Sequence, residues 1–329
     1  MNLSRTTVIM LSLMLATGAW AATENQNQAI QLLGSMAKAH RQLNYHGTFV
    51  YINGSQLDTM SVAHAADQRG ERERLIHLNG SAREIIRHND ISTCILPEEA
   101  SVIVEKHSSR PSSPFFSGED VAAFEGSYYI TLAGQERIAG QKATLLSIQP
   151  RDQYRYGYQL WVDAANGMLL KSALLDEQGA VIEQFMFTDI KYVDTVPDSL
   201  LQSKIDAHKF KWYRQGEGEQ QPVAGHQRWR VRKLPEGFQL ASYERQQSRH
   251  LGDLVDHMLY TDGLASVSVF IEKLKPKMEQ REGPTNMGVV NATAVVTEGH
   301  QVIVIGDVPV ITTELMANSV SSPWEADHD

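Results

Sequence analysis

Residues 152–189, DQYRYGYQLWVDAANGMLLKSALLDEQGAVIEQFMFTD, decide the fold. They contain three runs of strand-forming residues, separated by two turn sequences at 163–167 (DAANG) and 176–179 (DEQG). Glycine and asparagine tolerate the positive φ angle that tight hairpins need, so each turn sequence predicts a reversal of the chain. The stretch therefore predicts a three-stranded antiparallel meander.

The first run alternates with a period of two, which is typical of a strand. Tyr154, Tyr156 and Tyr158 fall on one face, and Arg155 and Trp161 fall on the other. Neither face is cleanly polar, so both are expected to meet protein or ligand. The tyrosine face suits the wall of a pocket for an acyl chain, and it equally suits a sheet face packed under a helix. Packing is the interpretation we favour.

The composition is that of an ordinary globular protein. A length of 329 residues suggests two domains, and 42% hydrophobic residues can build a core without a cofactor. The single cysteine, Cys94, cannot form an internal disulfide. Since no basic or histidine neighbour in sequence would activate it, we interpret it as a buried small hydrophobe; a redox thiol and a dimer crosslink are the alternatives.

The first 21 residues have the pattern of a Sec-type signal peptide. Arg5 precedes an apolar run at 8–16, and the sequence Ala19-Trp20-Ala21 provides a cleavage site. The run is too short to span a bilayer, although a retained membrane anchor remains the alternative. Without the leader the chain has 29 basic and 39 acidic residues, a net charge of −10. We expect a soluble periplasmic protein that does not bind nucleic acid.

The residues after the leader predict a helix followed by many short strands. Apolar residues recur at helical spacing over 28–43. Period-two runs follow at 48–52, 57–64, 72–78, 82–87, 91–96, 102–105, 128–132 and 143–149, with a short helix at 119–124. The spacers leave little room for crossover helices, so the strands should be antiparallel.

The segment 106–118 interrupts these strands. It is rich in serine and proline and ends near two adjacent aromatics, Phe115 and Phe116. This composition predicts a mobile loop. The two phenylalanines either plug a cavity or dock a partner, or they simply anchor the loop to the core.

A second domain follows a polar linker. We divide the chain into a signal peptide (1–21), a large β domain (22–205), a linker (206–227), a small α+β domain (228–320) and a flexible tail (321–329). In the small domain, strands are predicted at 239–245, 257–260, 264–272, 289–296 and 301–305, a charged loop at 273–288, and a helix within 309–320.

Basic residues are concentrated where the two domains join. From Lys204 to Lys233 there are eight basic and three acidic residues, a net charge of +5. Alternation places Arg228, Arg230 and Arg232 on one strand face. This basic seam suits an anionic partner, such as a lipid phosphate or an acidic peptide, and the alternative is a solvated strand face.

No catalytic or metal-binding motif is present in the sequence. It lacks G-x-S-x-G, H-E-x-x-H, a P-loop and a helix-opening G-x-G-x-x-G. The twelve histidines are scattered, without the spacing of metal ligands. We therefore expect neither an enzyme nor a cofactor, and an exported hydrolase is disfavoured.

Several distinctive motifs occur in order across both domains. They lie at 45–51 (YHGTFVY), 83–87 (REIIR), 154–161 (YRYGYQLW), 169–172 (LLKS), 257–272 (HMLYTDGLASVSVFIE) and 304–309 (VIGDVP). Together they resemble the RseB/MucB family of periplasmic regulators of the envelope-stress sigma factor. The resemblance implies an α+β protein: a large, unclosed antiparallel β-barrel wrapped around helices, similar to lipoprotein carriers, plus a smaller α+β domain.

The resemblance also implies a function. Such regulators bind the periplasmic region of a membrane anti-sigma factor of the RseA/MucA type and shield it from proteolysis. Lipopolysaccharide or lipoprotein acyl chains then release the shield. Candidate contact residues are Phe115, Phe116, Tyr154, Tyr156, Tyr158, Trp161, Arg228, Arg230 and Arg232. The alternative is a periplasmic lipid or lipoprotein carrier, and a homodimer is left open.

Overall fold

The computed structural model describes residues 6–106, 121–214, 227–247, 254–275 and 282–322. Within residues 6–22 and 246–247 it describes the backbone alone. Phe115 and Phe116 lie outside the described residues, as do the tail residues 323–329.

The first element, α1 (Thr6–Gln42), is one continuous helix. It contains most of the helix predicted at 28–43 and extends backward through the predicted leader. Cleavage near Ala21 stays a prediction. None of the described helices combines the length and the apolar character that a membrane span requires.

Twelve strands form the large sheet. They are β1 (Tyr45–Asn53), β2 (Gln56–Asp67), β3 (Gly70–His77), β4 (Glu84–His88), β5 (Ile91–Leu96), β6 (Ser101–Lys106), β7 (Tyr128–Ile138), β8 (Gln141–Pro150), β9 (Gly157–Asp163), β10 (Leu169–Leu175), β11 (Val181–Tyr192) and β12 (Lys211–Arg214). Their order is β12-β6-β5-β4-β3-β2-β1-β11-β10-β9-β8-β7. Because β7 and β12 end the sheet without pairing to each other, the barrel is open, as predicted.

The decisive stretch forms the meander β9–β10–β11, with antiparallel pairing between neighbours. Each reversal uses a glycine with positive φ, Gly167 at +82° and Gly179 at +80°. The amide of Gly167 donates to Asp163 O at 2.9 Å, and that of Gly179 donates to Asp176 O at 3.0 Å. The turn chemistry in the sequence therefore set both hairpins.

The sheet wraps around α1. Leu33 and Met36 of the helix are buried in one cluster with Phe49 of β1, Leu146 of β8 and Phe185 of β11. Strands far apart in the sheet order contact the same helix, so the sheet must curve around it. Two short helices complete the large unit: α2 (Val121–Phe124), which leads into a 3₁₀ turn (Glu125–Ser127), and α3 (Asp198–Leu201).

The described residues of the small unit form two sheets and one helix. A two-stranded sheet pairs β13 (Arg230–Val231) with β20 (Val320–Ser321). A six-stranded antiparallel sheet contains β14 (Gln239–Gln247), β15 (Leu254–Thr261), β16 (Ser266–Lys273), β17 (Gly283–Met287), β18 (Val290–Thr297) and β19 (His300–Gly306), in the order β14-β15-β16-β19-β18-β17. Helix α4 (Val310–Ala317) covers one face, where Met316 packs with Met258 and Val304.

The structure corrects several sequence predictions. β9 begins at Gly157, so Tyr154 and Arg155 lie in the irregular segment before the strand. The predicted loop 273–288 contains β17. The predicted linker contains β12, which pairs in parallel with β6, and Ser321 of the predicted tail belongs to β20. For β12 and β20, the prediction relied on local composition, whereas pairing with a distant strand decided the outcome.

Candidate functional site

The large and small units meet at a junction that includes four loop or helix segments. These are the irregular segment before β9, the turn after β13, the β15–β16 turn and the start of α4. In the turn after β13, Phe238 N donates to Pro235 O at 3.2 Å, and Gly237 has φ +84°. The junction contains a fully buried charge.

Arg155 lies at the centre of the junction and is 1% exposed. Its Nη1 donates to Asp262 Oδ2 at 2.6 Å, and its Nη2 donates to the carbonyl oxygen of Glu236 at 2.5 Å. Its Nε and Nη2 donate to the two carboxylate oxygens of Asp152 at 3.1 and 3.0 Å. The guanidinium therefore holds two carboxylates and one carbonyl in its planar fork.

Two aromatic rings enclose the same guanidinium. Its central carbon lies 5.4 Å from the ring centre of Tyr128 and 5.1 Å from that of Phe238. Tyr128 belongs to the large unit and Phe238 to the small one. The cation is thus held between π faces from both units, which is favourable for a desolvated charge.

Asp262 supplies the opposite charge from the tip of the β15–β16 turn. Its side chain is fully buried. The Tyr128 hydroxyl donates to Oδ2 at 3.0 Å, and the amides of Leu264 and Ala265 donate to Oδ1 at 2.9 and 2.7 Å. Burial, reinforced by the Asp262 charge, raises the pKa of Tyr128 well above its ordinary value. The hydroxyl therefore remains a donor to this carboxylate.

The tyrosine stripe lies at the same junction. Thr312 of α4 donates through Oγ1 to the backbone oxygen of Tyr154 at 2.7 Å. Asn291 of β18 donates to the Tyr156 hydroxyl at 2.9 Å. Tyr156 also packs with Leu174 and Val289, and Tyr158 packs beside them. The stripe packs against the small unit; a ligand-binding role for these tyrosines stays a prediction.

Trp161 lies in the core of the large unit and is 4% exposed. The ammonium of Lys171 lies 4.0 Å above its ring centre. The structure therefore places Trp161 apart from solvent, whereas the tyrosines meet the second unit.

The arginine strand shows the predicted alternation. Arg228, Arg230 and Arg232 are exposed, whereas Trp229 and Val231 are buried. Arg232 Nε donates to Ser321 Oγ at 2.6 Å, which ties this strand to β20. A face of three guanidinium groups therefore lies at the surface of the small unit, over an apolar underside.

Four other basic residues of the seam belong to the large unit: Lys204, Lys209, Lys211 and Arg214. All four residues of β12 are exposed, including Trp212 at 51% and Tyr213 at 54%. β12 ends the large sheet next to β6. The basic seam is therefore divided between the two units. In the large unit the exposed basic residues of β12 flank exposed aromatic residues, and in the small unit the exposed arginines alternate with the buried Trp229.

A buried polar cluster lies under the carboxyl end of α1. His64 is fully buried, its Nδ1 is 2.8 Å from Leu43 O, and its Nε2 is 3.3 Å from Glu71 Oε1. Its ring stacks on Tyr45 at 5.1 Å and on His40 at 5.7 Å.

This environment moves the two histidine pKa values in opposite directions. Burial, together with the charge of His64, lowers the pKa of His40 to about 3. Burial also opposes the charge of His64, but the Glu71 hydrogen bond and the Glu73 carboxylate outweigh it and raise the His64 pKa. Glu73 faces Arg87, with 3.1 Å between Oε1 and Nη1. The cluster therefore contains one neutral histidine and one that favours its proton.

The described residues offer little support for other chemistry. Within the described ranges, no group of three or more His, Cys, Asp or Glu side chains could hold a metal ion. Burial raises the pKa of the half-buried Cys94 thiol, which disfavours the reactive thiolate. A cavity of about 200 Å³ is lined by Arg74, Asp189 and Lys191, among others; these charges of both signs suit a polar ligand better than an acyl chain.

The sequence identified the stripe and the arginine face but missed Arg155 and Asp262. The available signal for Arg155 was its position within a Tyr-Arg-Tyr stretch that has no polar face. Asp262 lies in the stretch Thr261-Asp262-Gly263, whose composition indicates only a turn. The two are 107 residues apart, and no local pattern joins them.

Comparison with known proteins gives matches over nearly the whole chain. The model of the MucB/RseB N-terminal domain matches residues 28–205, and that of the MucB/RseB C-terminal domain matches residues 223–321. The sigma factor AlgU regulatory protein MucB of Pseudomonas aeruginosa is 34% identical over 96% of this chain and 97% of its own length. The sigma-E factor regulatory protein RseB of Escherichia coli is 23% identical over 88% of this chain and 89% of its own.

Solved structures of MucB resemble this one. The Pseudomonas aeruginosa MucA/MucB complex has a chain that is 29% identical, covers 90% of this chain and 99% of its own, and gives a TM-score of 0.71. MucB in complex with MucA(peri) gives 0.70, and a further crystal structure of MucB gives 0.61, each at 29% identity.

Proposed function

The chain belongs to the MucB/RseB family of sigma factor regulatory proteins, and from this membership we propose that it binds the periplasmic segment of a membrane anti-sigma factor. Bound there, it shields the segment from proteolysis and so keeps the envelope-stress sigma factor inactive. The protein acts in the periplasm after removal of its signal peptide near Ala21.

One observation carries the proposal. The chain resembles, over both units, a MucB protein that has been solved together with MucA, with 90% of this chain covered and a TM-score of 0.71. A similarity that spans both units supports a shared use of both, whereas a carrier would need the large unit alone. The partner is therefore proposed to be of the MucA/RseA type.

The exposed basic residues support an anionic partner. We assign Arg228, Arg230 and Arg232 to contact acidic residues of the anti-sigma segment or the phosphates of a lipid. Guanidinium groups form bidentate bonds with both kinds of acceptor. Phe115 and Phe116, with the tyrosine stripe, remain further candidates for contact with the partner or an acyl chain.

Release of the partner is proposed to follow from linkage. A lipopolysaccharide or lipoprotein that binds better to the free regulator than to the complex must weaken the complex by the same factor. The arginine face offers charge for the phosphates of such a ligand.

The test measures binding of residues 22–329 to the purified periplasmic segment of the candidate anti-sigma factor, and protection of that segment from its protease. Tight binding with protection supports the proposal, and weakening by added lipopolysaccharide supports lipid release. If added lipopolysaccharide leaves the affinity unchanged, the proposed release by lipid is wrong. No binding contradicts the proposal and favours a lipid or lipoprotein carrier.

A charge-reversal triple tests the arginine face. Arg228, Arg230 and Arg232 changed to Glu should weaken binding to the segment and to anionic vesicles by at least about tenfold. The matched control changes three exposed basic residues of the large sheet, Arg137, Lys142 and Lys191, to Glu. If both triple variants lost the same affinity, net charge alone would explain the effect. If the arginine triple bound like wild type, the arginine face would have no role in binding. Circular dichroism confirms that each triple folds.

A further inference from the structure

The junction around Arg155 has a role beyond joining the two units. We propose that it fixes the relative placement of the large and small units in the form that the anti-sigma segment binds, so that Arg155 and Asp262 act as positioning residues for partner binding. This inference rests on the proposed function. We call Arg155, Asp152, Asp262, Tyr128 and the carbonyl of Glu236 the junction lock.

The junction lock is complete only when both units are in place. The large unit supplies Arg155, Asp152 and Tyr128, and the small unit supplies Asp262 and the Glu236 carbonyl. Arg155 and Asp262 have no solvent exposure at their side chains. Separation of the units would leave Arg155 with Asp152 alone, and Asp262 with the amides of its own turn.

Such an array strongly favours the arrangement in which the two units are in contact over one in which they are shifted apart. A buried charge is tolerated when it is paired and hydrogen-bonded and is strongly disfavoured when one partner is removed. A small shift that lengthens the 2.6 Å contact between Arg155 and Asp262 would break the array before water could replace it. Relative motion is the ordinary expectation for two units in one chain, so this lock confines them to one placement.

Neighbouring contacts also hold the two units together. Thr312 reaches the backbone of Tyr154, and Asn291 reaches the hydroxyl of Tyr156, at 2.7 and 2.9 Å. Gly237 and Gly263 lie so close to the large unit that a Cβ at Gly263 would be 2.8 Å from that of Ala123. The junction is therefore tightly packed on both sides of the lock.

The comparison with MucB gives a further observation. At the same identity of 29%, the two structures that contain MucA give TM-scores of 0.71 and 0.70, over 90% and 89% of this chain, and the third MucB structure gives 0.61 over 90%. Compared as a whole chain, the arrangement that includes the junction lock is therefore more similar to the two MucA-containing structures.

The consequence is a coupling between the lock and the affinity. When only a fraction of the molecules has the binding-competent arrangement, the apparent dissociation constant rises in inverse proportion to that fraction. Weakening the lock lowers the fraction. Residues that never touch the partner would then change its affinity.

The first test replaces Asp262 by Asn. The amide keeps the size of the side chain and one acceptor oxygen but removes the charge that faces Arg155. The apparent affinity for the anti-sigma segment should fall by at least about tenfold, and small-angle scattering of the free variant should show a larger radius of gyration. The matched control is Glu84→Gln, which disturbs the buried Arg74–Glu84 pair inside the large unit; it should change neither quantity.

The second test holds the junction closed. Ser127→Cys and Gly237→Cys, in a Cys94→Ala background, place two cysteines where the Cβ of Ser127 lies 3.7 Å from a Cβ built at residue 237, a separation that suits a disulfide. The oxidised protein should bind the segment at least as tightly as wild type, with the reduced form of the same protein as its control. This test stands even if Asp262→Asn fails to fold.

The outcomes separate this inference from the proposed function. If wild type binds and the oxidised staple abolishes binding until it is reduced, the partner needs an opened junction and the inference is wrong. Wild-type affinity and scattering in a folded Asp262→Asn variant would also overturn it. If wild type itself does not bind the segment, it is the proposed function that fails.

Discussion

Two buried ion pairs of the same chemistry lie in different parts of the molecule. Arg74 and Glu84 pair within the large unit, where Glu84 also accepts from Ser203 Oγ at 2.8 Å. Arg155 and Asp262 pair across the junction. The first pair joins residues 10 apart in the chain, and the second joins residues 107 apart. One therefore fixes neighbouring strands, and the other fixes two units.

The influence of a buried ion pair therefore depends on which elements it connects. Strands β3 and β4 are already paired by a backbone ladder, so Arg74–Glu84 adds to an arrangement that exists without it. No such ladder crosses the junction among the described strands. There, side chains alone determine how the units meet.

The largest expected effect comes from removing each arginine. Arg155→Met and Arg74→Met should each destabilise the protein by about 3–5 kcal/mol, because each leaves a buried carboxylate without its cation. Differential scanning calorimetry should show one transition for Arg74→Met and two for Arg155→Met, as the units unfold separately. A single transition in both variants would contradict the claim that Arg155 couples the unfolding of the two units.

Acidification tests the large unit by itself through His40. Its pKa is lowered to about 3 in the folded state, so below the ordinary value of 6.5 the unfolded chain binds a proton that the folded chain does not. The free energy of unfolding therefore decreases as the pH falls from about 6.5 toward 3, by about 1–2 kcal/mol at pH 5.

His64 acts with the opposite sign. Its pKa is raised, so its contribution is present at low pH and is lost as the pH rises through its folded value. Glu71, Glu73, Tyr45 and Arg87 also face this pair. His40→Phe should flatten the pH dependence measured by urea unfolding between pH 7 and 5. An unchanged slope in that variant would show that His40 is not its source.

A matched pair of hydroxyl deletions gives a smaller effect. Tyr156→Phe removes the hydroxyl that accepts from Asn291 across the junction, and Tyr51→Phe removes the one that donates to Glu183 within the large sheet at 2.7 Å. Each should cost about 1 kcal/mol in thermal unfolding. Only Tyr156→Phe should also weaken partner binding, by about two- to threefold. If both variants lost the same affinity for the partner, contacts across the junction would have no greater effect on binding than contacts within the large sheet.

The smallest effect is expected from an exposed ion pair. Lys106 and Asp90 lie 3.5 Å apart, with 74% and 50% of their side chains exposed. Lys106→Ala should change the free energy of unfolding by less than about 0.5 kcal/mol, because solvent screens the pair. A loss comparable to that of Arg74→Met would show that charge alone, rather than burial, explains the buried pairs.

Local patterns predicted much of the fold. The period of two in 154–162 and the glycine turns at 167 and 179 predicted the central meander, and alternation predicted the burial of Trp229 and Val231 beneath the arginines. These features depend on residues close together in the chain, where side-chain direction follows directly from backbone geometry.

The features that were missed depend on distant residues. β12 is only four residues long and lies in a polar stretch, and its pairing partner β6 is about 110 residues earlier. Tyr154 and Arg155 alternate like strand residues, yet they bind the small unit instead of a neighbouring strand. Local periodicity carries no information about which remote segment will supply Asp262 or Thr312.

An open sheet must also avoid association through its two free edges. At one end, the amide side chain of Asn25 in α1 donates to the carbonyl of Leu132 in β7 at 3.2 Å and accepts from the Leu132 amide at 2.8 Å, as a neighbouring strand would. At the other end, β12 is short and includes Lys211 and Arg214. Side-chain pairing and a brief, charged last strand both disfavour edge-to-edge aggregation. The barrel can thus remain open around its helix without recruiting further copies of itself.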